Sequence, residues 1–209
     1  MTITESSAQT TIPHDYSKRA MVFGGRSSQD LAAKIAGKLS LAVGDVTLKT
    51  FSDGEIYGRY EESIRGADVF LVQSTCANVE TDMTPNDALM ELMIMADAAQ
   101  GASAHRIIAV MPWFGYARQD KKSAPREPIT SRVVARSLEA VGIDRVLTMD
   151  LHAGQIQGFF TVPVDHMTAQ PMLTQWFADQ YDPSELVIVS PDAGRAKAAR
   201  NFARKVGTE

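Results

Sequence analysis

From residue 20 onward, short apolar runs alternate with segments of helical periodicity, and few architectures accept that pattern. AMVF at 20–23, VTLKTF at 46–51, EIYGRY at 55–60 and ADVFLVQST at 67–75 read as strands, as do HRIIAVMPWF at 105–114, RVLTM at 145–149 and LVIVS at 186–190. Between them, SQDLAAKIAGKLS sets Leu31, Ile35 and Leu39 at helical spacing. SRVVARSLEAVG is amphipathic and ends at Gly142, AQPMLTQWFADQY is a further helix, and AGRAKAARNFARKVG closes at Gly207. Strands that alternate with helices point to an α/β fold with a mainly parallel sheet flanked by helices. Their V/I/L-rich interiors, bounded by polar loops, fit burial on both faces.

The segment TPNDALMELMIMADAAQ carries its own start signal. Thr84 is a suitable N-cap, Pro85 suits the first turn, and Asp87 favours the positive end of the helix dipole. Leu89, Met90, Leu92, Met93, Ile94 and Met95 cover nearly the whole circumference, so the helix is expected to be buried on several sides, in a core or at a subunit interface.

The chain has 209 residues, enough for one large domain or for one domain and part of another. Beyond about residue 157 the only clear strand is LVIVS, and a lone strand cannot satisfy its own backbone groups. It is expected either to join the first sheet or to belong to a second domain present only in part. The expected division is a disordered leader at 1–19, an N-terminal α/β domain at 20–156, and the start of a second domain at 157–209. The leader is polar and lacks the apolar stretch of a signal peptide. No apolar run is long enough to span a membrane. A net charge of −4 argues against general binding to nucleic acid or membrane, and the sole cysteine, Cys76, fits a reducing cytoplasm.

Against that acidic background, YARQDKKSAPREPIT at 116–130 stands out as a basic, mobile-looking loop at the end of a buried strand. In open α/β sheets ligands sit beyond the carboxyl ends of the strands. The loops after IIAVMPWF, RVLTM and LVIVS, gathered at one edge, bring together Arg118, Gln119, Asp120, Asp150, His152, Asp192 and Arg195. Carboxylates suit Mg²⁺ and guanidinium groups suit phosphate. Taken singly, each has a plainer reading. Asp150 and Asp192 are turn formers or caps, His152 is a structural histidine, and the basic run is a solvated face. Their coincidence at strand ends is what points to a magnesium–phosphate site. Separately, Asp53-Gly54 marks a hairpin turn within FSDGEIYGRYEES, with Glu55 and Arg59 on one face of an arm able to reach a ligand or a neighbouring subunit. The chain has no phosphate-binding G-x-x-x-x-G-K-[ST] loop, no dinucleotide G-x-G-x-x-G after a strand, no zinc-type Cys/His spacing and no G-x-S-x-G elbow.

FSDGE, ESIRGADVFLVQST, YARQDKK, REPIT, DLHAGQIQGFF, PVDHM and VSPDAGR together resemble the ribose-phosphate pyrophosphokinase (PRPP synthetase) family, almost continuously from Met21 to Gly207. The resemblance implies two phosphoribosyltransferase-like α/β domains, a cytoplasmic location, and dimers assembled into rings, commonly homohexamers. It implies transfer of the diphosphoryl group of MgATP to the anomeric hydroxyl of ribose 5-phosphate, giving PRPP and AMP. Arg118 then has a catalytic role and, with Gln119, contacts ATP. Asp53, Gly54 and Glu55 match a hairpin that contacts the adenine of ATP bound mainly by the neighbouring subunit. His152 and Asp192 match Mg²⁺ positions, with Asp150, Asp120 and Arg195 in support. Family members continue well past the position of Glu209, with a loop bearing a catalytic lysine and an acidic loop for ribose 5-phosphate that no stretch here resembles. Two other expectations stand beside the synthetase: a truncated, non-catalytic subunit that binds nucleotide and assembles with a full-length partner, and a chain of this length that is inactive alone. A phosphoribosyltransferase fits less well because FSDGE and YARQDKK do not belong to that family.

Overall fold

The computed structural model describes residues 19–208, so the leader expected at 1–19 lies, apart from Arg19, outside the described residues. The strands are β1 (Ala20–Gly24), β2 (Val46–Thr50), β3 (Ile56–Tyr60), β4 (Asp68–Val72), β5 (Arg106–Met111), β6 (Arg145–Met149) and β7 (Val164–Met167). The helices are α1 (Gln29–Lys38), α2 (Pro85–Gly101), α3 (Thr130–Ala140), α4 (Gln170–Gln180) and α5 (Ala196–Val206). Five strands form one parallel sheet in the order β1-β4-β5-β6-β7, and β2 and β3 form a separate antiparallel hairpin.

Side chains alternate across a strand, so each central strand feeds two cores. On one face Phe23, Leu71 and Met111 pack with Leu92 and Met95 of α2 and Leu138 of α3. On the other, Val22, Val72 and Ile108 pack with Ala32 and Ala36 of α1. The expected α/β fold with strands buried on both faces is therefore what the chain adopts.

Helix α2 starts as its sequence predicts. Thr84 Oγ1 accepts from Asp87 N at 3.2 Å, and Asp87 Oδ2 accepts from Thr84 N at 2.8 Å, a reciprocal capping box with Pro85 in the first turn. The helix is buried on more than one side, as expected. The sheet covers one flank and the hairpin another, while Met90 remains 49% exposed. Tyr60 of the hairpin donates to Met95 O at 2.8 Å and packs edge-on against Phe23. Burial pushes its phenol pKa up.

Helix α2 also buries a charge. Glu91 is 0% exposed, and its carboxylate accepts from Arg26 N (2.7 Å), Arg26 Nε (2.5 Å) and Gln73 Nε2 (3.0 Å). Arg26 continues to Thr50 Oγ1 at the end of β2 (2.9 Å). The first loop, the hairpin and α2 are thereby tied through one carboxylate.

Two expectations change at the C-terminal side. VDHM, which carries no strand-like apolar run, forms β7 and continues the first sheet past residues 156 and 157. LVIVS joins no sheet: Val187 and Val189 are 80% and 79% exposed, and residues 186–190 have no ladder partner among the described residues. The run has the composition of a strand, but a strand needs a neighbouring backbone to bond with. α4 and α5 pack on each other through Phe177 and Phe202, and α5 ends at Gly207 in the left-handed region, as its sequence predicts. Among the described residues no helix is long and apolar enough to cross a membrane.

Candidate functional site

At the carboxyl edge of the sheet lies a cleft of about 610 Å³. The loops after β4, β5 and β6 wall it, with the first turn of α2. Thr75 joins two of those loops: its N–H and hydroxyl both reach Trp113 O (2.9 and 3.0 Å), and its Oγ1 accepts from Gly115 N at 2.7 Å. A Cβ on Gly115 would stand 2.7 Å from Thr75 O, so only glycine permits this approach.

Two non-glycine residues on the cleft wall hold left-handed backbone, Tyr116 at φ 62° and Asp150 at φ 45°. Each conformation costs roughly 1 kcal/mol or more and persists only where surroundings impose it. Tyr116 is held by the hydrogen bond from its hydroxyl to Asn86 Oδ1 at the start of α2. Asp150 is held by its carboxylate, which accepts from Thr168 Oγ1 (2.7 Å) and Ala169 N (3.0 Å).

Of the residues singled out from sequence, Arg118, Gln119, Asp150, His152 and Arg195 line this one cleft. Arg118 is exposed there and makes no ion pair with the described residues. Gln119 is fixed at both ends. Its side-chain oxygen accepts from Thr130 Oγ1 at 2.5 Å, and its carbonyl accepts from Ser131 N and Oγ at the start of α3. Asp120 turns inward, 7% exposed, and accepts from Gln155 Nε2 at 2.5 Å, which joins the loop after β5 to the 3₁₀ helix Gly154–Phe159. Asp192 does not line the cleft; its Oδ1 caps a short turn by accepting from Arg195 N at 2.9 Å. Asp53, Gly54 and Glu55 stand apart, exposed at the hairpin tip, where Gly54 takes φ 93° and Asp53 Oδ1 accepts from Glu55 N at 3.1 Å.

Thr75, Asn86, Trp113 and Tyr116 also line the cleft and were not singled out from sequence. The aromatics of PWFGY, next to the basic run, were the available signal; Thr75 and Asn86 had none, being separated from that run in the chain.

The basic loop is braced rather than free. Glu127 accepts from Ser123 N at 2.6 Å and Ala124 N at 2.9 Å, and these two N–H groups, Ser123 first, hold its carboxyl below the usual glutamate range. The folded pKa is depressed, so the brace is complete above the ordinary glutamate value and lost as pH falls through the folded one. Relative to the intrinsic exchange rate, the protection of the Ser123 and Ala124 amides should fall on acidification through that low-pH window and be absent at all pH in Glu127→Ala; equal protection in the variant would refute the brace.

No group of three or more His, Cys, Asp or Glu side chains is placed to hold a metal ion among the described residues. Mg²⁺ keeps several waters and is commonly bound through one or two protein groups plus substrate phosphates. His152 and Asp192 are both exposed, and Asp192 Oδ2 is not used in capping; neither belongs to a closed protein cage among the described residues.

Fold and cleft together define a parallel-sheet α/β protein whose cleft, lined by Arg118 and Arg195, opens at the carboxyl edge of its strands. A family model described as the N-terminal domain of ribose phosphate pyrophosphokinase matches residues 20–142. The chain belongs to the ribose-phosphate pyrophosphokinase family. It is 50% identical over 194 residues to the ribose-phosphate pyrophosphokinase of Clostridium perfringens, covering 92% of this chain and 59% of that protein. It is 50% identical over 186 residues to that of Fusobacterium nucleatum, covering 88% and 57%. The crystal structure of phosphoribosylpyrophosphate synthetase from Mycobacterium smegmatis superposes with a TM-score of 0.84 at 45% identity, covering 91% of this chain and 62% of that one. The chain thus spans about three-fifths of the length of these relatives.

Proposed function

We propose that the cleft binds MgATP and that the protein is a ribose-phosphate diphosphokinase, a cytoplasmic transferase of nucleotide biosynthesis. It transfers the diphosphoryl group to the anomeric hydroxyl of ribose 5-phosphate and releases PRPP and AMP. The observation that carries this reading is the convergence of Arg118, Gln119, His152 and Arg195 on one cleft from three separate loops.

Transfer of this kind leaves little covalent work for the protein, so positioning and charge carry catalysis. Arg118, without a carboxylate partner among the described residues, is available to phosphate oxygens and to the charge on departing AMP. Gln119, its oxygen committed to Thr130, presents its amide N–H₂ to the nucleotide. Arg195 adds a second guanidinium to the cleft lining. Asp120 and Asp150, both bonded within the chain, hold the walls in place. His152, and the Asp192 oxygen not used in capping, would hold Mg²⁺ together with the phosphates, and the ion would supply charge neutralisation there. The hairpin tip at Asp53, Gly54 and Glu55, exposed and away from its own cleft, serves the nucleotide of a neighbouring copy in a homo-oligomer of dimers within a hexamer. The domain reading that accompanies this is an ATP-binding domain at 20–156 and the beginning of a second at 157–209, with β7 of the second segment adding an edge strand to the sheet of the first.

A second reading, a nucleotide-binding subunit without catalysis that assembles with a full-length synthetase, is favoured by Asp192, which is committed to its own turn and stands off the cleft. The purified chain should bind MgATP in a calorimetric titration. AMP and PRPP formation from MgATP and ribose 5-phosphate then tests the first reading: turnover identifies the diphosphokinase, and binding without turnover fits both the subunit and a synthetase segment that is inactive alone. A chain that binds no MgATP overturns both.

A further inference from the structure

The turn that carries Asp150 and His152 into the cleft is held from one side by the continuation of β7. Asp150 N donates to Met167 O at 2.9 Å, and Asp150's carboxylate accepts from Thr168 Oγ1 and Ala169 N. The remaining bond is made by a histidine: Leu151 N donates to His166 Nε2 at 3.0 Å. His166 pairs with Thr148 across the β6–β7 ladder, so its ring lies beside the end of β6 where the backbone leaves the sheet. Strand β7 is short and weakly apolar, and its alternation places His166 where it braces this turn instead of filling a core.

We infer that His166 is a positioning residue of the nucleotide cleft, its neutral ring accepting the Leu151 N–H and so fixing the left-handed turn between Asp150 and His152. The inference rests on the reading of the cleft as a nucleotide site. It has a chemical consequence. An imidazole nitrogen that accepts an N–H carries no proton, so the ring proton sits on Nδ1. Nδ1 lies 3.3 Å from the Gln157 side-chain amide nitrogen, which donates to Gly154 O at 3.0 Å; with the proton on Nδ1 that contact faces two donors and adds no hydrogen bond, so the Leu151 bond alone argues for the tautomer. The backbone at Leu151 has one other route to satisfaction, solvent, and taking it frees the turn. Without this acceptor the left-handed conformation at Asp150 loses one of the bonds that impose it, and His152 is presented in several arrangements instead of one.

The experiment compares wild type with His166→Ala, His166→Leu and His166→Asn, whose Oδ1 is a replacement acceptor. Three readouts are taken: ¹⁵N NMR of the imidazole, amide exchange at Leu151, and MgATP titration, with melting temperature as the folding control. The expected result is a ring protonated on Nδ1 and a Leu151 amide protected in wild type and His166→Asn but exchanging faster in the other two. MgATP affinity should fall about three- to tenfold in His166→Ala and His166→Leu and recover in His166→Asn, the scale expected for one backbone hydrogen bond. A ring protonated on Nε2, an unprotected Leu151 in wild type, or equal MgATP affinity in all four proteins overturns the role of His166 alone. A wild-type chain that binds no MgATP overturns the reading of the cleft, and this role with it. If His166→Ala fails to fold, the comparison of His166→Leu with His166→Asn decides the matter.

Discussion

Replacing Glu91 with alanine should destabilise the protein by about 3–5 kcal/mol, the cost of leaving one member of a buried ion pair unpaired. Glu91 is fully buried, and three donors converge on its carboxylate: the backbone and side chain of Arg26 and the amide of Gln73. Gln73 is itself 0% exposed, so its amide finds no water when the carboxylate is gone. Domains of ordinary size are stable by about 5–15 kcal/mol, so the loss takes a large share. Chemical denaturation gives the number directly, as a fall in midpoint at unchanged slope. Glu91→Gln keeps one acceptor oxygen and should lose less. A loss below about 1 kcal/mol in the alanine variant, typical of an exposed pair, would contradict the burial.

Arg118→Ala should do the opposite: leave the fold alone and damage function. Arg118 is exposed, without an ion-pair partner among the described residues, so truncation should change stability by no more than about 0.5 kcal/mol. The side chain nevertheless stands on the wall of the cleft, where phosphate charge would be met. Removing a preorganised group that stabilises developing charge costs about 10²–10³ in turnover. AMP release from MgATP and ribose 5-phosphate, measured wherever the protein turns over, should fall by that factor, and MgATP affinity of the present chain should weaken. Unchanged kinetics and affinity would remove Arg118 from the site. The two variants separate the parts of the molecule: Glu91 matters to stability before chemistry, Arg118 to chemistry without stability.

How much of this was legible in advance depends on the range of the interaction. The start of α2 was readable because a capping box spans only Thr84 to Asp87, and local hydrogen bonds leave local signatures. The central strands were readable because residues buried on both faces must be apolar throughout, as in RIIAVM. β7 was not: VDHM is polar enough for a loop and becomes a strand only because β6 offers it a free edge. LVIVS is the converse, a strand by composition that finds no edge among the described residues. Local propensity cannot tell these apart, because pairing is a property of neighbours.

The same division runs through the site. By itself the sequence determined that polar, charged loops follow buried strands, and therefore that Arg118, Gln119, Asp150 and His152 belong near one sheet edge. Their family resemblance lay in continuous motifs, readable without coordinates. Only the tertiary structure decided that Arg26 reaches Glu91 across 65 positions of chain, that Asp192 caps its own turn, and that Thr75, Asn86 and Tyr116 join the cleft. The physical reason is that a backbone commits to helix or strand through interactions a few residues long, whereas a cleft is made where distant segments meet, and the sequence carries no local mark of that meeting.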